Sequence, residues 1–205
     1  MTKIKICGLR RPIDAEYVNN AGADFAGLVF WDKSKRNLTF EEAREIRKVL
    51  NPEIKTLGVF VDRDIDDIAY LVKEGIISGV QLHGSEDVDT IKKVRAAVPE
   101  GTWILKAFEV KLIEDVEKAQ NSSADMVLID SGKGSGKVFD WELLSHLKRD
   151  YILAGGLGIE NVSEAVETLH PFAVDVSSGV ETDRFKDESK INDFCNAVKQ
   201  ADGRQ

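Results

Sequence analysis

Short apolar runs alternate with amphipathic segments along this chain. The runs cover 3–7, 24–30, 55–61, 79–83, 102–108, 125–130, 150–154 and 173–177. Most are rich in Val, Ile, Leu and Phe with little polar alternation, the pattern of strands covered on both faces. Between them lie stripes at helical spacing. Thr39 and Glu42 make a capping-box pattern ahead of Ala43, Ile46 and Leu50. Asp64 is placed to cap a helix carrying Ile65, Ile68, Ala69 and Val72. Val88, Ile91, Val94 and Val98 mark another helix, and Val162, Ala165, Val166 and Leu169 a further one. Ile191, Phe194, Cys195 and Val198 form the last stripe, which makes Cys195 a small core residue without a chemical role.

Repeated strand–helix units imply parallel strands with right-handed crossovers. An open doubly wound sheet and a closed barrel both fit that pattern. Eight consecutive units favour the barrel, and 205 residues leave about 25 for each, so the loops must be short. The expected fold class is α/β, a single-domain (β/α)8 TIM barrel over residues 1–205. Residues 201–205 read as a frayed polar tail.

Charge and cysteine content narrow the function. A formal net charge of -8 argues against general affinity for nucleic acid or an anionic membrane. Two cysteines far apart in sequence form neither a disulfide framework nor a zinc site. No run reaches the roughly 18 apolar residues of a membrane span, and the N-terminus lacks a signal-peptide core. The expectation is a cytoplasmic protein with free thiols.

Alternation along the strands sorts out which polar residues face inward. The outer face of a barrel meets apolar helices, so Ile4 and Ile6 point out, and Lys5 and Cys7 point in. The same logic groups Gln81 with His83 and turns Asp130 inward beside Leu128 and Met126. Asp175 stands in the eighth strand, which closure places beside the first. A buried lysine must be paired or neutral, and Lys5 is expected to pair with Asp175 or Asp130. Cys7 ends the first strand, at the barrel face that carries the chemistry in this architecture. A thiol there is a candidate base or nucleophile.

Three glycine-rich segments follow late strands. Ser131–Lys137 fails the P-loop pattern, because Ser131 replaces its first glycine and Val138 follows Lys137. It reads as a lid loop entering a helix at Trp141, with Asp140 as N-cap. Ala154-Gly155-Gly156-Leu157-Gly158 and Ser177-Ser178-Gly179-Val180 follow strands seven and eight, where barrels commonly bind phosphate through backbone N–H groups.

In order along the chain stand Lys5-Ile6-Cys7-Gly8-Leu9, Gly58-Val59-Phe60-Val61, Gln81-Leu82-His83-Gly84, Asp130 with the glycine loop and Phe139-Asp140-Trp141, Leu153-Ala154-Gly155-Gly156-Leu157, and Asp175-Val176-Ser177-Ser178-Gly179-Val180-Glu181. With these motifs at strand–helix spacing, the whole chain resembles the phosphoribosylanthranilate isomerase family of tryptophan biosynthesis. The resemblance implies an Amadori rearrangement of N-(5-phosphoribosyl)anthranilate to 1-(2-carboxyphenylamino)-1-deoxyribulose 5-phosphate. It implies Cys7 as general base and Asp130 as general acid. It assigns Arg36 to the anthranilate carboxylate, and the backbone around Gly155, Gly156, Ser178 and Gly179 to the phosphate. His83 is a further candidate for substrate binding, with a hydrogen bond in the strand-end layer as its alternative role.

No cofactor or metal is implied. The expected partner is a small phosphorylated substrate, with no nucleic acid or membrane, and the expected state is a monomer or homodimer. A free aspartic acid titrates near ~3.9 and a thiol near ~8.5. The acid role therefore calls for a raised carboxyl, and the base role for a positive charge such as Lys5 beside the thiol. The related histidine-pathway isomerase is expected to carry an aspartate at position 7, and indole-glycerol-phosphate synthase to carry lysines and glutamates on its early strands. A non-catalytic sugar-phosphate sensor has no need of Cys7 and Asp130.

Overall fold

The structure, a computed structural model, describes residues 1–130 and 141–203. Its centre is a closed barrel of eight strands in sequence order. The strands are β1 (Lys3–Cys7), β2 (Phe25–Phe30), β3 (Lys55–Phe60), β4 (Gly79–Leu82), β5 (Trp103–Glu109), β6 (Met126–Asp130), β7 (Tyr151–Ala154) and β8 (Ala173–Val176). Every neighbouring pair is parallel, and β1 closes on β8 with Lys5 opposite Asp175. The strand bounds differ from the sequence-based ones by a residue at some ends. His83 lies just past β4, yet its N–H still donates to the Phe60 carbonyl at 2.7 Å.

The helices outside are α1 (Pro12–Ala21), α2 (Phe40–Val49), α3 (Ile65–Lys73), α4 (Val88–Ala97), α5 (Ile113–Gln120), α6 (Val162–Leu169) and α7 (Glu188–Asp202). Their starts follow from local chemistry. The Glu42 N–H donates to Thr39 Oγ1 and the Thr39 N–H to Glu42 Oε2, the reciprocal pattern of a capping box. Asp64, Asp87 and Asp187 cap α3, α4 and α7 by accepting from backbone N–H groups. α1 starts with Pro12 and ends at Gly22 in the left-handed conformation. It buries Ala15, Val18 and Ala21, residues too small and sparse to announce a stripe.

Two apolar layers result. Ile4, Ile6, Leu28, Phe30, Phe60, Val80 and Leu82 pack outward beneath the helices. Phe25, Leu57, Leu105, Ala107, Met126, Leu128, Ile152, Ala154 and Ala173 fill the barrel interior. Cys195 is buried in the outer layer, as its spacing predicts, and burial pushes its thiol up to about 11.

Three expectations need correction or fall outside the described residues. After β6 the chain has a 3-10 helix at Trp141–His146 where a regular helix was expected. The expected lid at 131–137 and the cap at Asp140 lie outside the described residues. The tail is more ordered than its polarity suggests: α7 runs to Asp202, Ala201 is buried, and the Asp202 carboxylate accepts from the Thr2 N–H at 2.6 Å. Past β8 come a 3-10 turn (Ser178–Val180) and a small hairpin, β9 (Glu181–Thr182) and β10 (Phe185–Lys186). Among the described residues no helix is long and apolar enough to cross a membrane.

Candidate active site

A pocket of about 300 Å³ opens at the carboxyl end of the barrel. Cys7, Arg36, His83, Asp130, Gly155, Gly156 and Ser178 all line it. They come from loops and strand ends spread over the whole chain, which is how this architecture builds a site. Gly179 lies behind the lining and has a packing role. A Cβ there would meet the Leu157 carbonyl oxygen at 2.1 Å, so only glycine lets the loops after β7 and β8 touch. Gly155 and Gly156 have φ of 90° and 63°, in the region that favours glycine. Asn161 fixes this loop, accepting from the Gly158 N–H at 2.9 Å and donating to the Gly156 carbonyl at 3.1 Å.

The thiol is set by its neighbours on both sides. Cys7 is opposite Gly27 in the β1–β2 register, and a Cβ on Gly27 would lie 2.8 Å from Cys7 Sγ. Gly8, at φ 81°, makes room for the Arg36 side chain, whose Cδ would lie 2.4 Å from an added Cβ. One residue below Cys7 on the inner face, Lys5 Nζ donates to Asp175 Oδ2 at 2.8 Å. Asp130, the other partner considered from sequence, is not the one chosen. Burial lowers the affinity of Lys5 for its proton, but Asp175 and Cys7 outweigh that and hold it above the ordinary lysine value.

The expected depression of the thiol does not occur. Burial raises the Cys7 pKa, Lys5 opposes this, and Asp175 adds to the rise, so the net direction is up. The main reason is burial of the thiol, and Asp175 adds to it by compensating part of the charge of Lys5. The resting group is thus a neutral thiol, which becomes a stronger base once it is ionised.

His83 stands between a partner below and the acid candidate. Gln81 Nε2 lies 2.9 Å from His83 Nδ1. With the amide donating, the ring proton sits on Nε2, which faces Asp130 Oδ2 at 3.6 Å. That separation is too long for a hydrogen bond. Below the mouth, Gln81 Oε1 and Asp175 Oδ1 are buried acceptors with no hydrogen-bond partner among the described residues, and both residues line the pocket.

Arg36 is held on its Nε–Nη2 edge by the Glu181 carboxylate, with both bonds at 2.7 Å. Sequence reasoning missed this partnership, and it missed Lys186, whose side chain is buried against Glu181 Oε1 at 2.8 Å. It also missed Val29, Trp31, Val59 and Val61, which give the pocket lining its apolar part. Trp31 directly follows β2, and the strand-end rule applied to Cys7 and Asp130 points to it as well. The lining therefore combines apolar side chains, a guanidinium, the glycine backbone of the loops after β7 and β8, a thiol and a carboxylate. Such a pocket suits a molecule that carries an aromatic ring and anionic groups.

Comparison with known proteins agrees with this geometry. The family model for N-(5'phosphoribosyl)anthranilate (PRA) isomerase matches residues 4–197. The chain is 43% identical to the N-(5'-phosphoribosyl)anthranilate isomerase of Acetivibrio thermocellus, over 99% of this chain and 98% of that one. The crystal structure of phosphoribosyl anthranilate isomerase from Thermotoga maritima superposes with a TM-score of 0.89 at 38% identity, covering 98% of this chain and all of that one. A similar structure, with a TM-score of 0.87 and 36% identity, is a phosphoribosyl anthranilate isomerase in complex with reduced 1-(o-carboxyphenylamino)-1-deoxyribulose 5-phosphate, covering 98% of this chain and all of that one. With the barrel, the pocket and these matches together, the chain belongs to the N-(5'-phosphoribosyl)anthranilate isomerase family.

Proposed function

We propose that Cys7 and Asp130 act as general base and general acid in the isomerisation of N-(5'-phosphoribosyl)anthranilate, the reaction of this family in tryptophan biosynthesis. The observation that carries this reading is the convergence of a thiol, a carboxylate, a guanidinium and two glycine-rich turns on one pocket. Arg36 takes the aryl carboxylate. The backbone at Gly155, Gly156 and Ser178 takes the phosphate, with Gly179 allowing the two loops to meet. Holding both ends fixes the ribose between acid and base.

Asp130 gives its proton to the furanose ring oxygen as the bond from that oxygen to C1 breaks, and the nitrogen lone pair forms a protonated Schiff base. Cys7 first loses its thiol proton to solvent and, as the thiolate, removes the proton from C2, which returns it to the resting thiol. That electron pair forms the C1–C2 double bond, and the imine electrons return to nitrogen. The enolamine then moves its enol proton to solvent and gains one from solvent at C1, giving the aminoketone, and Asp130 regains its proton from solvent. His83 faces Asp130 and the substrate from the rim. We place the enzyme in the cytoplasm, consistent with its two free thiols.

The test is turnover of phosphoribosylanthranilate generated in situ from anthranilate and phosphoribosyl pyrophosphate by a separate transferase. Cys7→Ala and Asp130→Asn are each expected to lower kcat by at least about 100-fold, the scale of a lost general acid or base. A variant that retains turnover removes its residue from the chemistry. Binding without conversion by the wild type supports the sensor reading.

A further inference from the structure

We propose that Glu181 is a positioning residue for Arg36, and that the β9–β10 hairpin ties this carboxylate clamp to the phosphate loop. The proposal rests on the reading of Arg36 as the group that binds the substrate's aryl carboxylate.

The hairpin is too short to be stable alone. Its turn residues Asp183 and Arg184 both have positive φ, 50° and 69°, without glycine. Such a turn persists only where its surroundings hold it. Its neighbours do so. Arg10 donates to the Arg184 carbonyl at 2.8 Å, and the Arg10 and Arg11 guanidinium groups lie over the Phe185 ring at 4.4 and 4.5 Å. Lys190 Nζ donates to the Glu181 carbonyl at 2.8 Å. Arg10 and Arg11 belong to the loop that follows Cys7, so the hairpin is docked on the catalytic strand's own extension.

From that platform, Glu181 sends its carboxylate to Arg36. It is shared with Lys186, whose Nζ also donates to the Ser177 carbonyl at 2.9 Å. Ser177 is a pocket residue of the loop assigned to phosphate. One chain of contacts therefore runs from Arg36 through Glu181 and Lys186 to the phosphate loop. The Glu181 and Lys186 side chains are buried, at 8% and 1% exposure, so water screens the link between them little.

Glu181 occupies the Nε–Nη2 edge, leaving Nη1 and a second Nη2 proton to form the fork that a planar carboxylate accepts. Fixing the long side chain beforehand removes the ordering cost from the binding step. A rival possibility is that Glu181 competes with the substrate for Arg36. The two differ in sign: loss of the carboxylate raises KM in the first case and lowers it in the second.

The experiment is steady-state kinetics of Glu181→Gln, Glu181→Asp, Arg36→Met and the Arg36→Met/Glu181→Gln double variant on phosphoribosylanthranilate generated in situ. Glu181→Gln is expected to raise KM roughly tenfold with kcat within about threefold, because lost binding appears in KM. Glu181→Asp keeps the charge but is one methylene too short to span both nitrogens, and is expected to fall between wild type and Gln. It decides the question should Glu181→Gln fail to fold. In the Arg36→Met background, Glu181→Gln is expected to add nothing. A merely structural defect lowers the amount of active enzyme, and so the apparent kcat, leaving KM unchanged. A wild-type or lower KM in the Glu181 variants, with KM raised by Arg36→Met, overturns this inference alone. A wild-type KM in Arg36→Met overturns the clamp reading on which it rests.

Discussion

Replacing Lys5 by methionine isolates the energetics of the barrel's charged core. Methionine keeps the length and apolar stem of lysine and removes the charge. Lys5 is 0% exposed and Asp175 8%, and their contact is 2.8 Å. Asp175 Oδ1 already lacks a partner among the described residues, so the variant takes from the carboxylate both its Lys5 counter-ion and its Lys5 hydrogen bond. Removing one member of a buried pair costs about 3–5 kcal/mol. For a protein of this size that lowers Tm by about 6–20 °C, and it is a large share of the roughly 5–15 kcal/mol that holds a domain folded. The double variant Lys5→Met/Asp175→Leu removes both charges and is expected to recover most of the loss, because well-packed apolar replacements of such pairs are often neutral or stabilising. Urea unfolding of wild type, both single variants and the double gives the coupling energy directly. Equal destabilisation in the Lys5 single and the double variant would refute the argument, since the cost would then lie in packing.

Two further outcomes follow from the pocket geometry. The raised Cys7 pKa means that the thiolate fraction is still climbing steeply as the pH passes the ordinary thiol value of 9.0. Alkylation of Cys7 by iodoacetamide, and kcat/KM with it, should keep rising through pH 9, and Lys5→Met should move both upward because it removes the group that opposes the shift. A thiol that alkylates at a constant rate from pH 6 to 8 contradicts an upward shift of Cys7. Gly179→Ala places a methyl group at 2.1 Å from the Leu157 carbonyl oxygen, which forces the loops after β7 and β8 apart. The expected result is a KM raised about tenfold or more, competed more weakly by inorganic phosphate; unchanged inhibition by phosphate would remove this contact from the anion site.

Much of this molecule is legible in its sequence because burial on both faces leaves period and charge as clean signals. Lys5 and Cys7 alternate with Ile4 and Ile6, and that alone turns the two polar residues inward. Gln81 and His83 share a face by the same count and meet at 2.9 Å. What the sequence hides depends on contacts between distant segments. The sign of the Cys7 shift turns first on how deeply the thiol is buried and then on how far Asp175 compensates Lys5, a balance that no spacing encodes. The β9–β10 hairpin escapes notice because Asp183-Arg184 lacks the glycine or asparagine that usually marks such a turn; Arg10 and Arg11, far away in sequence, supply what the turn lacks. Glu181 is visible as part of a motif, but its attachment to Arg36 appears only once the hairpin has been placed.

The ion pair that joins the first strand to the last also bears on the order of assembly. Lys5 and Asp175 are separated by 170 residues. Until β8 arrives, the Lys5 ammonium has to remain in water, because an uncompensated charge is not tolerated in a packed interior. β1 therefore cannot seat permanently against β2 with its inner face sealed, however favourable its isoleucines are. Loop closure over so long a span is slow in any case, and electrostatics makes it a condition for sealing this barrel. Pulsed hydrogen exchange during refolding should show the amides of β1 and β8 gaining protection together and late; early protection of β1 alone would mean that the lysine is buried before its counter-ion is in place. The pair thus works as a completion test, passed only when the eighth strand is present.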